Sequence, residues 1–142
     1  MALTLDRRTQ LLAGCPLFGG LSGDDLAAVG ERALEVDFPA DHAIARQGEI
    51  GTGFFLIVNG AVRVVRDGEE LALLGPGEFF GEMSVIDGLP RTATVATTAP
   101  TRCLALASWE FEQLVLDHPR IALAILRGLS ARLRGKTEPR QH

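Results

Sequence analysis

The stretch Gly75-Pro76-Gly77-Glu78-Phe79-Phe80-Gly81-Glu82-Met83-Ser84-Val85-Ile86-Asp87-Gly88-Leu89-Pro90-Arg91-Thr92-Ala93-Thr94-Val95 reads as a built anion site. Gly75 and Gly77 break the preceding strand, Gly81 permits a close backbone approach, and Met83 to Ile86 suit one helical turn whose first N–H groups point outward. A helix start of that kind attracts phosphate. Pro90 fixes the direction of the chain, and Thr92-Ala93-Thr94-Val95 alternates as a half-buried strand does. Arg91 is therefore expected on a rigid element, where its guanidinium can clamp a phosphate bidentately. Glu82 would repel the same anion unless it faces another part of the ligand, and a sugar hydroxyl satisfies it. Phosphate on N–H groups and Arg91, with a hydroxyl on Glu82, describes a nucleotide whose ribose and phosphate are held side by side.

Working outward, the chain from Leu34 to Ala107 is a series of short segments rich in Val, Ile, Phe and Leu, divided by turn residues. That spacing predicts an antiparallel β architecture of about eight strands. Asn59-Gly60, between Phe54–Val58 and Ala61–Arg66, and Asp67-Gly68, between that strand and Glu69–Leu74, suit the positive φ angles of tight hairpin turns. Thr94–Thr98 and Thr101–Ala107 are expected to pair across Ala99-Pro100. Gly48-Glu49-Ile50-Gly51-Thr52-Gly53 lacks the G-x-G-x-x-G register and following helix of a dinucleotide site, and reads as a turn.

Helices are expected at both ends. Thr4 to Ala13 stops at Gly14, and Ser22 caps a helix running to about Ala33 with Leu26, Val29 and Ala33 on one face. Ser108 caps Trp109–Asp117, with Glu110 and Glu112 in its first turn. His118-Pro119 interrupts, and Arg120 to about Arg134 forms the longest helix, with a stripe of Ala122, Leu126, Leu129 and Leu133. Two heptads are too few to assign a coiled coil, so this stripe is either core-facing or the seam of a homodimer. Lys136 to His142 reads as a frayed polar tail.

At 142 residues and 46% hydrophobic, the chain suits one packed domain. A net charge of −4 argues against a DNA-binding surface. No apolar run is long enough for a membrane span, the N-terminus lacks signal-peptide order, and a cytoplasmic protein is expected. Cys15 and Cys103 form neither a disulfide framework nor a metal spacing, and His42, His118 and His142 are scattered. Gly135-Lys136-Thr137 lacks the upstream glycine and strand of a P-loop. Ser84 and Ser108 have no adjacent base, and only Glu78 and Glu82 could pair as carboxylates, so no catalytic constellation is expected. Arg127, Arg132, Arg134, Lys136 and Arg140 complement the negative end of the last helix.

Phe80-Gly81-Glu82-Met83-Ser84, followed after six residues by Arg91-Thr92-Ala93, resembles the phosphate-binding cassette of cyclic nucleotide-binding domains, the superfamily of catabolite activator proteins and protein kinase A regulatory subunits. The resemblance extends over about residues 14–135. It implies an α+β fold, a jelly-roll-like antiparallel β-roll of about eight strands with flanking N- and C-terminal helices and a short cassette helix. Residues 1–13 are then an N-terminal helical extension and 136–142 a polar tail. Carried over by position, Glu82 takes the ribose 2′-hydroxyl, Arg91 the cyclic phosphate, and Gly81, Met83 and Ser84 offer backbone N–H groups. Thr92 lies near phosphate and purine, with Phe80, Pro90 and Ala93 as the remaining ligand positions.

The function so implied is a regulatory module without chemistry of its own. It senses cyclic AMP, with Thr92 leaving cyclic GMP open, and passes binding to a downstream effector by closing a site between roll and C-terminal helix. The purine is expected near Lys136-Thr137, where the sequence departs from the family pattern. A rival reading keeps the fold as a ligand-free interaction or oligomerisation domain, against which the intact Glu82 and Arg91 weigh. The superfamily's transcription activators continue past the long helix into a helix-turn-helix domain. The sequence stops before one, so no DNA recognition is expected within it.

Overall fold

A computed structural model describes residues 2–51 and 53–137. Two helices, α1 (Leu5–Ala13) and α2 (Gly23–Arg32), lead into strands β1 (Leu34–Phe38), β2 (Ala43–Ala45), β3 (Gly53–Asn59), β4 (Val62–Arg66), β5 (Glu69–Leu74) and β6 (Phe79–Phe80). The short helix α3 (Glu82–Asp87), strands β7 (Thr94–Thr97) and β8 (Thr101–Ala107), and helices α4 (Ser108–Asp117) and α5 (Pro119–Thr137) follow. The strands form two four-stranded antiparallel sheets, ordered β1-β8-β3-β6 and β2-β7-β4-β5. This is the α+β, jelly-roll-like β-roll with flanking helices that the cassette resemblance implies.

The strand order corrects two pairings. Asp67-Gly68 does close a hairpin, with φ of +53° and +80° at its two central residues, as a type I′ turn requires. Asn59-Gly60 does not. Asn59 remains in β3, Gly60 alone takes a positive φ of +100°, and the chain crosses from one sheet to the other. Likewise β7 and β8 lie in different sheets, so Ala99-Pro100 is a corner rather than a hairpin turn. The two corners pack on each other. A Cβ on Gly60 would stand 2.5 Å from Thr101 Oγ1 and 2.6 Å from the Pro100 carbonyl, while Thr98 N–H donates to the Ala61 carbonyl at 2.9 Å. Thr97 braces the third corner, accepting from His42 N–H at 2.9 Å and donating to the Pro39 carbonyl at 2.6 Å.

The first sheet separates two cores. Strand alternation sends Ile57, Phe80 and Cys103 into the space between the sheets, with Ala45, Val62 and Val95 opposite. Phe54, Leu56, Leu104 and Leu106 face the other way, into a helical core with Leu12, Phe18, Val29, Phe111, Leu114, Ile121 and Ile125. Gly30 lets α1 cross α2 closely, since a Cβ there would meet Thr9 Oγ1 at 3.1 Å and Leu5 at 3.2 Å.

Helix ends follow local chemistry at Thr4 and Ser22, whose hydroxyls accept from Arg7 and Asp25 N–H groups. Ser108 is the first helical residue of α4 rather than its cap, which falls on Ala107 and carries no side-chain hydrogen bond. Pro119 opens α5, where its missing N–H costs nothing. The core face of α5 is Ile121 and Ile125, with Leu129 partly buried. Of the stripe that is either core-facing or a homodimer seam, Leu129 thus packs partly on the core, while Leu126 and Leu133 are 62% and 64% exposed. A spacing of four from Ile121 faces the core, and the 3-4 stripe lies rotated from it. The helix also runs on through Thr137, past the expected Arg134, and the expected polar tail from 138 onward falls outside the described residues. Among the described residues no helix is long and apolar enough to cross a membrane.

Candidate functional site

Arg91 is 9% exposed, and its side chain is built into backbone. Nη2 donates to the Gly53 carbonyl at 2.5 Å. Two glycines make room for the guanidinium: a Cβ on Gly51 would overlap Nε and Cζ, and one on Gly81 would overlap Nη1 and stand 2.6 Å from the Gly53 carbonyl. Gly81 also holds a φ of +90°, which an L side chain rarely adopts. The backbone of Arg91 is fixed as firmly, its N–H donating to the Glu49 carbonyl at 2.8 Å and its carbonyl accepting from Gly48 N–H at 2.9 Å. Ile50 and Pro90 extend this pairing as an isolated β-bridge.

Rigidity at Arg91 thus has a source other than the expected strand. β7 begins at Thr94, so Thr92 and Ala93 lie ahead of it, and the loop Gly48–Gly51 holds Arg91 from the side. From sequence alone that loop reads as a turn and not as part of the site. Its signal was in the sequence, since Gly48-Glu49-Ile50-Gly51-Thr52-Gly53 carries more glycine than one turn requires, and glycine marks close approach.

Helix α3 starts directly after Gly81, and its first i→i−4 bond runs from Val85 N–H to the Gly81 carbonyl at 3.2 Å. The N–H groups of residues 82–84 accordingly fall before the helical ladder, as in any first turn. Val85 is 6% exposed and packs into the helical core. The side chains of Glu82, Met83 and Ser84 lie outside the described residues.

Arg91 and Gly81 share a cleft of about 400 Å³. Phe80, Pro90, Thr92 and Ala93 also border it, so the structure gathers six of the nine expected site residues on one surface. Phe80 stacks on Phe55 at 5.2 Å as the floor. The far wall is apolar, made by Val64 of β4 and Leu74 of β5, and neither was singled out from sequence. Among the described residues, none of α5 borders this cleft. The expected position near Lys136-Thr137 falls on side chains outside the described residues. The Arg91 guanidinium and a glycine-opened backbone thus share one cleft with the apolar side chains of Val64 and Leu74, and the Asp87 carboxylate also borders it.

A family model described as a cyclic nucleotide-binding domain matches residues 35–118. The chain is similar to a CRP-like cAMP-activated global transcriptional regulator of Mycobacterium tuberculosis, 33% identical over 130 residues, covering 88% of this chain and 58% of the regulator. It is also similar to a cyclic nucleotide-gated potassium channel of Mesorhizobium japonicum, 39% identical over 116 residues, covering 82% of this chain and 32% of the channel. The crystal structure of the N-terminal domain of a Streptomyces coelicolor A3(2) transcriptional regulator superposes with a TM-score of 0.76 at 32% identity, covering 84% of this chain and 86% of that one. The chain spans little more than half of the regulator and a third of the channel. On the family match and these relatives together, the chain belongs to the cyclic nucleotide-binding domain family.

Proposed function

We propose that this chain is a regulatory module, without catalysis of its own, that binds cyclic AMP as first ligand, with cyclic GMP as the alternative purine. The observation that carries the reading is the buried guanidinium of Arg91, held by the Gly53 carbonyl in a cradle that only glycines permit. Arg91 borders the cleft, and a ligand phosphate there can take bidentate, charge-assisted hydrogen bonds from its guanidinium. The relatives' printed descriptions, one cAMP-activated and one cyclic nucleotide-gated, support the same ligand class.

In this reading Arg91 and the backbone N–H groups of Gly81, Met83 and Ser84 take the cyclic phosphate. Glu82 takes the ribose 2′-hydroxyl, and Thr92 sits between phosphate and purine. Phe80, Pro90 and Ala93 shape the cleft, and the purine lies along Val64 and Leu74, whose apolar surface suits a flat ring. The binding unit spans residues 14–135, with residues 1–13 as a helical extension and 136–142 as a tail, in a cytoplasmic protein. Binding reaches the helices through Val85, which joins α3 to the core that holds Phe111, Leu114, Ile121 and Ile125. The exposed Leu126 and Leu133 of α5 suit pairing with a second copy.

The test separates Glu82 from Arg91. Arg91→Ala should weaken cyclic AMP and its 2′-deoxy analogue alike, by roughly 2–5 kcal/mol, the usual cost of truncating one partner of a buried charge pair. Glu82→Ala should lose about 1.5–3 kcal/mol on cyclic AMP and hardly distinguish the two ligands. A Glu82→Ala protein that kept the full wild-type preference for the 2′-hydroxyl would refute the assigned pose.

A further inference from the structure

Arg91 takes its backbone position from the loop Gly48–Gly51, and that loop is itself anchored at Gln47. Gln47 N–H donates to Thr94 Oγ1 at 3.0 Å. Its side-chain amide meets Asp67 twice, Nε2 donating to Asp67 Oδ1 at 2.8 Å and Oε1 accepting from Asp67 N–H at 3.0 Å. Asp67 is the first central residue of the β4–β5 turn, with φ +53°, and lies outside the cleft. Hydrogen bonds from the hairpin turn therefore fix Gln47, and its covalent neighbours Gly48 and Glu49 hydrogen-bond the carbonyl and N–H of Arg91.

We propose that Gln47, locked by Asp67, is a positioning residue for the phosphate clamp, so that the β4–β5 turn belongs to the binding machinery without touching ligand. The proposal rests on the cyclic-nucleotide reading above. Its logic is geometric. The guanidinium fits only while Gly51 stays opposite Nε and Cζ, and Gly51 lies four residues from the anchor at Gln47. A loop freed at Gln47 keeps its glycines but loses their fixed placement, and a clamp displaced by about an ångström forfeits much of its advantage. Gln47 is exposed and outside both cores, so the fold does not depend on it.

The experiment is a double-mutant cycle read by cyclic AMP affinity. Gln47→Ala should weaken binding about three- to tenfold in the wild-type background. In an Arg91→Lys background, which keeps a charge but not the fitted guanidinium, it should cost less than twofold, because residues acting as one unit are non-additive. Gln47→Glu alone sets two carboxylates face to face and should weaken binding. The double variant Gln47→Glu/Asp67→Asn restores a donor–acceptor pair in reversed polarity and should recover affinity to within threefold of wild type, Asn being well suited to positive φ. Coupling is reciprocal, so cyclic AMP should also slow hydrogen exchange at the Asp67 amide of the unmodified protein. Equal losses in both Arg91 backgrounds, or no loss in either, would overturn the positioning role, as would an Asp67 amide indifferent to ligand. A flat titration of the wild-type protein would instead overturn the ligand reading, and this proposal with it.

Discussion

Gly51→Ala isolates the arginine cradle from every other feature of the site. Gly51 does not hold a positive φ, so alanine introduces no backbone strain there. The new Cβ would overlap Arg91 Nε and Cζ and stand 2.8 Å from Nη2. Ordinary heavy-atom contacts lie near 3.5–4.0 Å, so the guanidinium must retreat by about an ångström or more. That movement breaks the 2.5 Å bond from Nη2 to the Gly53 carbonyl. A hydrogen bond to a charged group contributes roughly 1.5–3 kcal/mol, which at about 3 °C per kcal/mol for a chain of this size lowers Tm by roughly 5–9 °C. The fold survives, because the clashing atoms end a side chain that can swing. Affinity suffers more: a misplaced clamp should lose about thirtyfold, the low end of the range for removing one partner of a buried charge pair, since the charge stays nearby. Calorimetric titration with cyclic AMP alongside thermal melting gives both numbers. Gly75→Ala is the control, for its Cβ would meet nothing within 4 Å. A folded Gly51→Ala protein with wild-type affinity would refute the cradle argument.

Three further outcomes follow from the fold. Gly60→Ala places a Cβ 2.5 Å from Thr101 Oγ1 at a φ of +100°, where neither corner can yield, and should cost about 3 kcal/mol or more in urea unfolding; a loss under about 1 kcal/mol would contradict the paired corners. Burial, with a smaller push from Asp37, raises the Cys103 thiol to about 12. Cys103 should therefore resist thiol reagents at pH 8 until unfolding, and stability should fall as pH rises from about 8.5, where the unfolded thiol ionises, toward 12; rapid native labelling of Cys103 would count against this. Arg102, bonded to Asp37 at 2.8 and 3.2 Å, holds the Asp37 carboxyl below its ordinary 3.8. The stability this pair adds is present above the unfolded value and lost as pH falls through the lower folded one, and Arg102→Ala should return the NMR-detected titration of Asp37 to about 3.8.

Most features set by local chemistry were legible in the sequence, the Ser108 cap of α4 being an exception. The Asp67-Gly68 turn, the Ser22 cap, the break at His118-Pro119 and the turn of helix after Gly81 each depend on a few adjacent residues. Errors came where distant segments decide. Asn59-Gly60 marks a turn, yet nothing in a dipeptide tells whether the next strand joins the same sheet or the facing one; Pro100 and Thr101, packed on Gly60, settle that. On α5 the leucines mark an apolar stripe, but the partner surface selects Ile121 and Ile125 for the core. Arg91 stands out from its neighbours in sequence, whereas Gly48, Glu49, Gly51 and Gly53, which hold it, lie about 40 residues upstream and are marked only by their glycines. The apolar wall of Val64 and Leu74 was hidden for the same reason, since alternating residues in any half-buried strand look alike.

The most direct test of the central claim is one calorimetric titration of the chain with cyclic AMP and cyclic GMP, with 5′-AMP as control. The account predicts a micromolar or tighter constant for a 3′,5′-cyclic purine nucleotide, about −8 kcal/mol or better, and much weaker binding of 5′-AMP, whose open phosphate does not match a clamp fixed beside the ribose contact. Absence of heat and of any thermal shift with cyclic AMP and cyclic GMP at millimolar concentration would contradict it.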